Sequence, residues 1–361
     1  MRSRWNSLVE LDRNVSVFTS WEWQTSWWKH YAGNSRLRLL TVHKADQLVG
    51  ALPLYVRRSE VVPLFGAQEL RLVGSGGDTS PDYLGPVIAA GFEESVARSF
   101  VDWLVEHCDE WDALNLSDML PTPFLNQLQQ RLRSRALHAE LRPCSQIQVA
   151  RLPDSFSDYM RAMPGQRRQR LNRIRRRLVE QLGMTFKTSR KSDEIWSTVD
   201  ALIELHRKRW ADKDPNKGAF RSSRYLNFHR EVIERCLQND WIRLYRLEDA
   251  HGKATAVFYC YRYRDEVLYF QSGFDPALHK YSPGLALMGF AIESAIGEGA
   301  RLFDMLKGEH AYKGAWTNEI RSTFSLIAHG RSARGRMSLM RHRMRSWKES
   351  VSRLREPRAA E

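Results

Sequence analysis

Cysteine is scarce in this sequence. Its 361 residues hold four, Cys108, Cys144, Cys236 and Cys260, widely spaced, with no Cys-x-x-Cys pair and no paired histidines. That pattern argues against a disulfide framework and against a zinc site, so the four read as ordinary thiols and no metal is expected. No apolar run is long enough to cross a bilayer. Met1 to Asn14 lacks the apolar stretch of a signal peptide, so the expected location is the cytoplasm. Acidic residues are in deficit: 56 Lys and Arg stand against 42 Asp and Glu, a net charge of +14.

The excess is clustered. One cluster is Arg161, Arg167, Arg168, Arg170, Arg173, Arg175, Arg176 and Arg177; the other runs from Arg331 to Glu361, with ten Lys and Arg against three Glu. Such clusters attract polyanions, whether nucleic acid, anionic lipid or phosphorylated substrates. The bland reading of the first is a solvated helix face, since its arginines recur all round the helix and no interleaved aromatics mark an RNA-binding signature. The second contains Met337, Leu339, Met340, Met344 and Trp347, which suits either a helix docking on an anionic membrane surface or a partner, or a terminal helix packed on its own domain.

Helical and strand patterns alternate. An aromatic-rich helix is expected over 21–32, a hairpin over Arg36–His43 and Gln47–Val56, a glycine-rich turn over Gly74–Pro81, a helix over Phe92–His107 and a strand over Asp112–Leu116. After Leu152-Pro153 the pattern predicts an Arg-studded helix stopping at Gly183, a strand over Met184–Thr188 and helices over Asp193–Ala211 and Ser223–Gln238. A meander of three antiparallel strands follows, then a helix over Gly284–Gly297 and strands over Arg301–Leu306 and Ser322–Ala328. The fold class is α/β (α+β). Helix-then-strand at 92–116 echoes helix-then-strand at 284–306, which suggests a duplicated unit.

The specific signals lie in the second half: His206-Arg207-Lys208-Arg209-Trp210, Gly218-Ala219-Phe220, Gly273-Phe274-Asp275-Pro276, Tyr281-Ser282-Pro283-Gly284, and Phe303-Asp304-Met305-Leu306-Lys307-Gly308-Glu309-His310-Ala311-Tyr312-Lys313 before Trp316. This series resembles the CelD-like branch of the GNAT acyltransferases, named for a cellulose-biosynthesis protein, whose last stretch typically reads F-D-F-L-R/K-G-x-E-x-Y-K before a Trp. Asp82-Tyr83-Leu84 fits more loosely, and the likeness spans roughly residues 15–330.

The resemblance implies tandem GNAT-like lobes with mixed, largely antiparallel sheets, at 15–150 and 151–330; the basic tail at 331–361 lies outside it. The series is also similar, more distantly, to the FemAB peptidyltransferases, which use aminoacyl-tRNA. No long helical arm interrupts the second half, which favours acyl-CoA as co-substrate. The implied activity is transfer of an acyl group to an amine or hydroxyl of a small-molecule or saccharide acceptor, envelope- or exopolysaccharide-related. An aminoacyl-tRNA-dependent ligase and a degenerate GNAT scaffold in a polysaccharide-synthesis complex stay open as alternatives, as does peripheral attachment to the inner membrane face.

For the donor, Ser282-Pro283-Gly284 opens a helix, with Ser as expected cap and Pro at the first turn; free N–H groups there bind phosphate. Lys280, Tyr281, Ser282 and Gly284 are the donor-binding candidates, with His279 adding charge; the bland reading is a helix cap without ligand. For chemistry, Asp304 or Glu309 suits a general base, and Lys307, Tyr312 and Lys313 suit charge stabilisation or a substrate phosphate, against a purely structural ion-pair network. His206 shares a helix face with Leu202, Ile203 and Trp210, and reads as a core histidine or as a cleft-facing base. Asp82 and Tyr83 are substrate-binding candidates or a structured turn.

Overall fold

The mostly apolar runs within Arg36–Lys44 and Gln47–Arg58, joined by the polar turn at Ala45-Asp46, make the β1–β2 hairpin of the first of two compact units; β2 is buried continuously from Leu48 to Val56. A computed structural model of the chain describes residues 1–58, 66–79, 81–211, 218–308 and 313–355. The first unit holds Met1–Ser145 and Ser322–Glu361; the second holds Gln146–Arg321. The C-terminal segment, read from sequence as a separate tail, thus clusters with the first unit.

The first unit starts with α1 (Arg2–Leu11) and α2 (Trp21–Tyr31), then β1, β2, β3 (Gln68–Leu72) and the short β4 (Val87–Ile88). Then come α3 (Glu93–Glu106), β5 (Ala113–Met119), α4 (Pro123–Ser134) and the first part of β6 (His138–Arg151). β2 pairs antiparallel with β1 and β3, and β5 lies parallel to β3 in the register Glu69↔Ala113 to Arg71↔Asn115. One of its apolar clusters joins Trp5, Leu8 and Val9 of α1 to Leu48, Val49 and Ala51 of β2 and Val87 of β4.

The second unit runs α5 (Phe156–Arg161), α6 (Gly165–Arg176), β7 (Thr185–Ser189), α7 (Ser192–Ala211), α8 (Ser223–Leu237), β8 (Ile242–Glu248), β9 (Ala254–Tyr263) and β10 (Glu266–Phe274). It continues with α9 (Pro283–Gly297) and β11 (Leu302–Asp304); β12 (Glu319–His329) returns to the first unit, where α10 (Ala333–Arg355) ends the described chain. β7 to β10 are antiparallel neighbours, and β11 lies parallel to β10. α9 is apolar nearly all round and is accordingly buried. Ala286, Leu287, Met288, Ala291 and Ile292 pack with Tyr245, Phe258, Val267, Phe303 and Trp316. Gly289 permits this, because a Cβ there would come within 2.8 Å of the Trp316 ring.

The two units share an order: three antiparallel strands, a helix, then a strand parallel to the third. In the first it is β1-β2-β3, α3, β5; in the second, β8-β9-β10, α9, β11. The helix-strand echo at 92–116 and 284–306 therefore falls on corresponding elements. α1, β3, α4 and β6 were not read from the sequence. The strand expected over Arg301–Leu306 ends at Asp304: its carboxylate Oδ1 accepts the Leu306 N–H at 2.8 Å, and Leu306 turns into the left-handed region at φ 49°.

Candidate active site

The second unit builds its site where β10 and β11 part. Their parallel register runs only from Glu266↔Leu302 to Leu268↔Asp304. Beyond it, the Met305 N–H donates to the carbonyl of Gln148 on β6 at 3.0 Å, so this chain stays with β6 and leaves β10. In the other direction the β10–β9 register shifts between Tyr269 and Gln271, making Phe270 a bulge. A bulge bends its strand and re-aims side chains. Tyr269 to Phe274 thus form an edge of β10 that β11 does not run alongside.

Two cavities open along this edge. The first, about 230 Å3, lies at the start of α9 and is lined by Arg170, Arg209, Tyr269, Ser272, His279 and Ser282 to Leu285, among others. The second, about 290 Å3, is lined by His206, Arg209, Trp210, Tyr269 to Ser272, Met305, Lys307 and Lys313, with Gly218 and Ala219. Arg209, Tyr269 and Ser272 line both.

Ser282 departs from the sequence expectation. It sits in the left-handed region at φ 54° and its side chain makes no capping hydrogen bond; its carbonyl instead accepts the Leu285 and Ala286 N–H groups. Pro283 does occupy the first helical turn. A Cβ on Gly284 would meet no atom within 4 Å, so the space in front of this helix end is open. The positive end of the α9 dipole and the cations Arg170 and Arg209 face that space. Lys280 and Tyr281 stand beside this cavity rather than in its wall, with the Lys280 ammonium 5.0 Å and the Arg177 guanidinium 4.7 Å from the Tyr281 ring centroid.

α7 brings His206 to the second cavity by a close approach. A Cβ on Gly273 would lie 2.8 Å from the His206 backbone nitrogen, so only glycine lets α7 lie this near β10. The His206 ring is buried, and its Nε2 accepts the Trp210 indole N–H at 3.2 Å. Burial, with Arg209 and Arg207 adding to it, lowers its pKa to about 4. Its basic nitrogen is already engaged, which weighs against His206 as the base.

Lys313 is buried, and its ammonium donates to the carbonyls of Met305, Leu306 and Lys307 at 2.9, 3.1 and 3.2 Å. It clips the strand-end turn that carries Lys307 into the cavity wall, work different from the expected contact with a substrate phosphate. Asp304 is fully buried; it holds the same turn and lies 3.6 Å from Arg321. Glu309 and Tyr312 lie outside the described residues. Asp82 and Tyr83 belong to the first unit, where both are buried and the Tyr83 carbonyl accepts the Ser16 hydroxyl. The structure therefore brings together His206, Lys307 and Lys313 in one cavity and Ser282 and Gly284 in its neighbour.

Sequence reading missed Arg209, Tyr269 and Ser272 as shared wall residues, and Arg170 as a single member of its cluster aimed at a site. Arg209 stands inside the His-Arg-Lys-Arg-Trp run, the one signal available.

The family described as "Acetyltransferase (GNAT) domain" matches residues 165–314. This span contains α6, the parted strands and both cavities. The chain carries a GNAT-type acyltransferase domain. No match was found among curated proteins. Three solved structures share the fold over nearly the whole chain. FemX is 10% identical with a TM-score of 0.63, covering 90% of this chain and 95% of its own. A conserved protein of unknown function from Bacteroides thetaiotaomicron VPI-5482 is 10% identical at TM-score 0.58, covering 91% and 97%. L-PGS from Bacillus licheniformis is 13% identical at TM-score 0.52, covering 94% and 95%. At these identities the likeness is one of fold.

The first unit repeats the topology of the GNAT domain without its electrostatics. α3 corresponds in order to α9, yet it puts Glu93 and Glu94 in its first turn, where α9 has no acidic residue. Two carboxylates there repel an anionic ligand. Among the described residues, no helix is long and apolar enough to cross a membrane.

Proposed function

We propose that the GNAT domain transfers an acyl group from acyl-CoA to an amine or hydroxyl on a sugar-containing acceptor, envelope- or exopolysaccharide-related as the resemblance to the CelD-like branch implies. The observation that carries the reading is the common wall of the two cavities, Tyr269 and Ser272 on a bulged strand beside a cationic helix start. The wall residues suit acyl-CoA. Gly284 leaves room for phosphates, and Arg170 and Arg209 offset their charge. Bound there, the thioester would supply the activated acyl group.

The chain's own residues do the rest. Acyl transfer needs the nucleophile's proton removed and charge on the carbonyl oxygen stabilised. Because His206 is neutral and engaged, we assign the base to Glu309, which follows the clipped turn, and charge stabilisation to Lys307 in the cavity wall. Lys313 and Asp304 hold that turn in place. The basic start of α10, with Met340 63% and Met344 56% exposed, is our candidate for contact with an anionic membrane surface or a synthesis partner.

A second reading, an aminoacyl-tRNA donor, draws on Arg170: it belongs to the Arg-studded α6 and lines the donor cavity, so a larger polyanion there would continue along that helix. The test is calorimetric titration with acetyl-CoA and longer acyl-CoAs, followed by thiol release with amino-sugar acceptors. Saturable binding and acceptor-dependent thiol release are expected. Acyl-CoA binding absent at millimolar ligand in folded protein would overturn the reading, and RNase-sensitive transfer would establish the second.

A further inference from the structure

We infer that His206 recognises the acceptor by donating a hydrogen bond from Nδ1 to one of its oxygens, so that the group presented there is a hydroxyl or carbonyl and not an ammonium. The inference rests on the acyl-transfer reading of the same site and names a group that its acceptor must carry. A neutral imidazole holds one proton, and the bond made by one nitrogen decides which nitrogen holds it. Nε2 of His206 accepts the Trp210 indole N–H at 3.2 Å, and an indole nitrogen can only donate. The proton therefore sits on Nδ1. Burial keeps the ring in this neutral form, its pKa lowered to about 4, with Arg209 and Arg207 acting in the same direction. Among the described residues Nδ1 has no hydrogen-bond partner. The residue is only 5% exposed, so this donor is largely withdrawn from bulk water without a partner in the protein. Such groups are rare because they cost stability, and a ligand atom is one way to satisfy them.

The surroundings leave this donor to the ligand space. His206 lines the second cavity and not the first, which puts it on the acceptor side of the shared wall. Phe220 stands edge-on to the ring at 4.9 Å and 89°, and Trp210 occupies Nε2. Gly218, from the same cavity lining, lies beside Cε1, the ring carbon bonded to both nitrogens. A Cβ there would come within 3.4 Å of Cε1 and 3.3 Å of Trp210 Cγ, and the backbone φ of 127° itself favours glycine. Glycine thus adds no side chain over the ring edge. An N–H facing the cavity binds an oxygen lone pair, which an ammonium lacks.

Histidine-selective 15N labelling of the full chain tests each part. His206 is assigned by the signals that His206→Gln removes. Long-range proton–nitrogen spectra should show Nδ1 protonated at neutral pH; a ring protonated on Nε2 overturns the inference. The CoA-saturated protein is then titrated with glucose, glucosamine and N-acetylglucosamine, and with cyclohexylamine as an oxygen-free control. The sugars should shift the Nδ1 signal and the amine should not. If no sugar shifts it, or if acetyl-CoA shifts it as a sugar would, Nδ1 is not an acceptor contact and the inference fails. Two variants separate recognition from packing. Asparagine places an amide N–H near the position of Nδ1, whereas glutamine places a carbonyl near Nε2. His206→Asn should keep sugar affinity within about threefold, while His206→Gln keeps the Trp210 bond and loses about tenfold, the worth of one hydrogen bond. Equal losses, or the reverse order, make His206 a support for Trp210 alone and overturn the inference. The readout is binding, so a sugar contact at Nδ1 without thiol release would fail the transfer reading and leave this one standing; thiol release by His206→Gln at the parent's KM would do the opposite.

Discussion

Gly284→Asp tests the donor site by separating two effects of one charge. A Cβ at this position meets nothing within 4 Å, so the substitution does not strain the protein. For the fold the change is favourable: an acidic side chain in the first turn of α9 complements the dipole by about 0.3–1 kcal/mol, and loss of a helical glycine adds a few tenths. For a bound phosphate it is unfavourable. Two like charges about 5 Å apart repel by roughly 1 kcal/mol in water and about 3 kcal/mol at an effective dielectric of about 20. That corresponds to a roughly five- to hundredfold loss of acyl-CoA affinity. Gly284→Asn carries nearly the same volume without the charge, so it should keep most of the affinity, and salt should narrow the gap between the two variants. Calorimetry with acetyl-CoA at low and high ionic strength reads the affinity, and urea unfolding reads the stability. Equal affinities of the Asp and Asn variants, or an Asp variant as tight as the parent, would refute phosphate binding at this helix end.

Lys313→Met removes the shared donor of three carbonyls, and because each buried unsatisfied acceptor costs about 1–3 kcal/mol, a loss of about 2–5 kcal/mol in urea unfolding is expected after relaxation; a loss under about 1 kcal/mol would deny the clip. Gly273→Ala should drive α7 away from β10, lowering stability and turnover together, since its Cβ would lie within 3.0 Å of the α7 backbone; unchanged kinetics would count against that approach as the device that sets His206 and Arg209. In the first unit, His329 packs its ring against His138 and His342, near Glu140, Arg142, Arg133 and Arg343, and burial, its main cause, lowers its pKa to about 4. The unfolded chain takes that proton first, so this part of the stability is complete above about pH 6.5 and declines by on the order of 3 kcal/mol as pH falls towards about 4; His329→Phe should flatten the slope measured by urea unfolding. Acyl-CoA titration should give one site per chain, because α3 carries Glu93 and Glu94 where α9 carries Pro283 and Gly284; a stoichiometry of two would refute the asymmetry.

The sequence by itself determined the local grammar of this chain. The 3.6-residue stripes of α7 and α8, the short apolar runs of β1, β2 and the β8–β10 meander bounded by polar turns, and the Pro283-Gly284 start of α9 are all properties of neighbouring residues, so they read directly. The repeated order of helix and strand read for the same reason. β6 did not, because Pro143 and a run of polar residues interrupt its pattern and its pairing comes from a distant strand. The Ser282 cap failed because its backbone turns left-handed after the 3-10 turn Pro276–Tyr281, a conformation set by how that turn meets α9. The strand at Arg301–Leu306 ended early because β6 draws Met305 away from β10. Only tertiary structure decided the site. The cavities lie where β10 and β11 part after three paired residues, and Arg209, Tyr269 and Lys307 meet there from a helix, a strand and a turn. No short-range pattern encodes such a meeting, since contacts among remote segments are fixed by packing around the core.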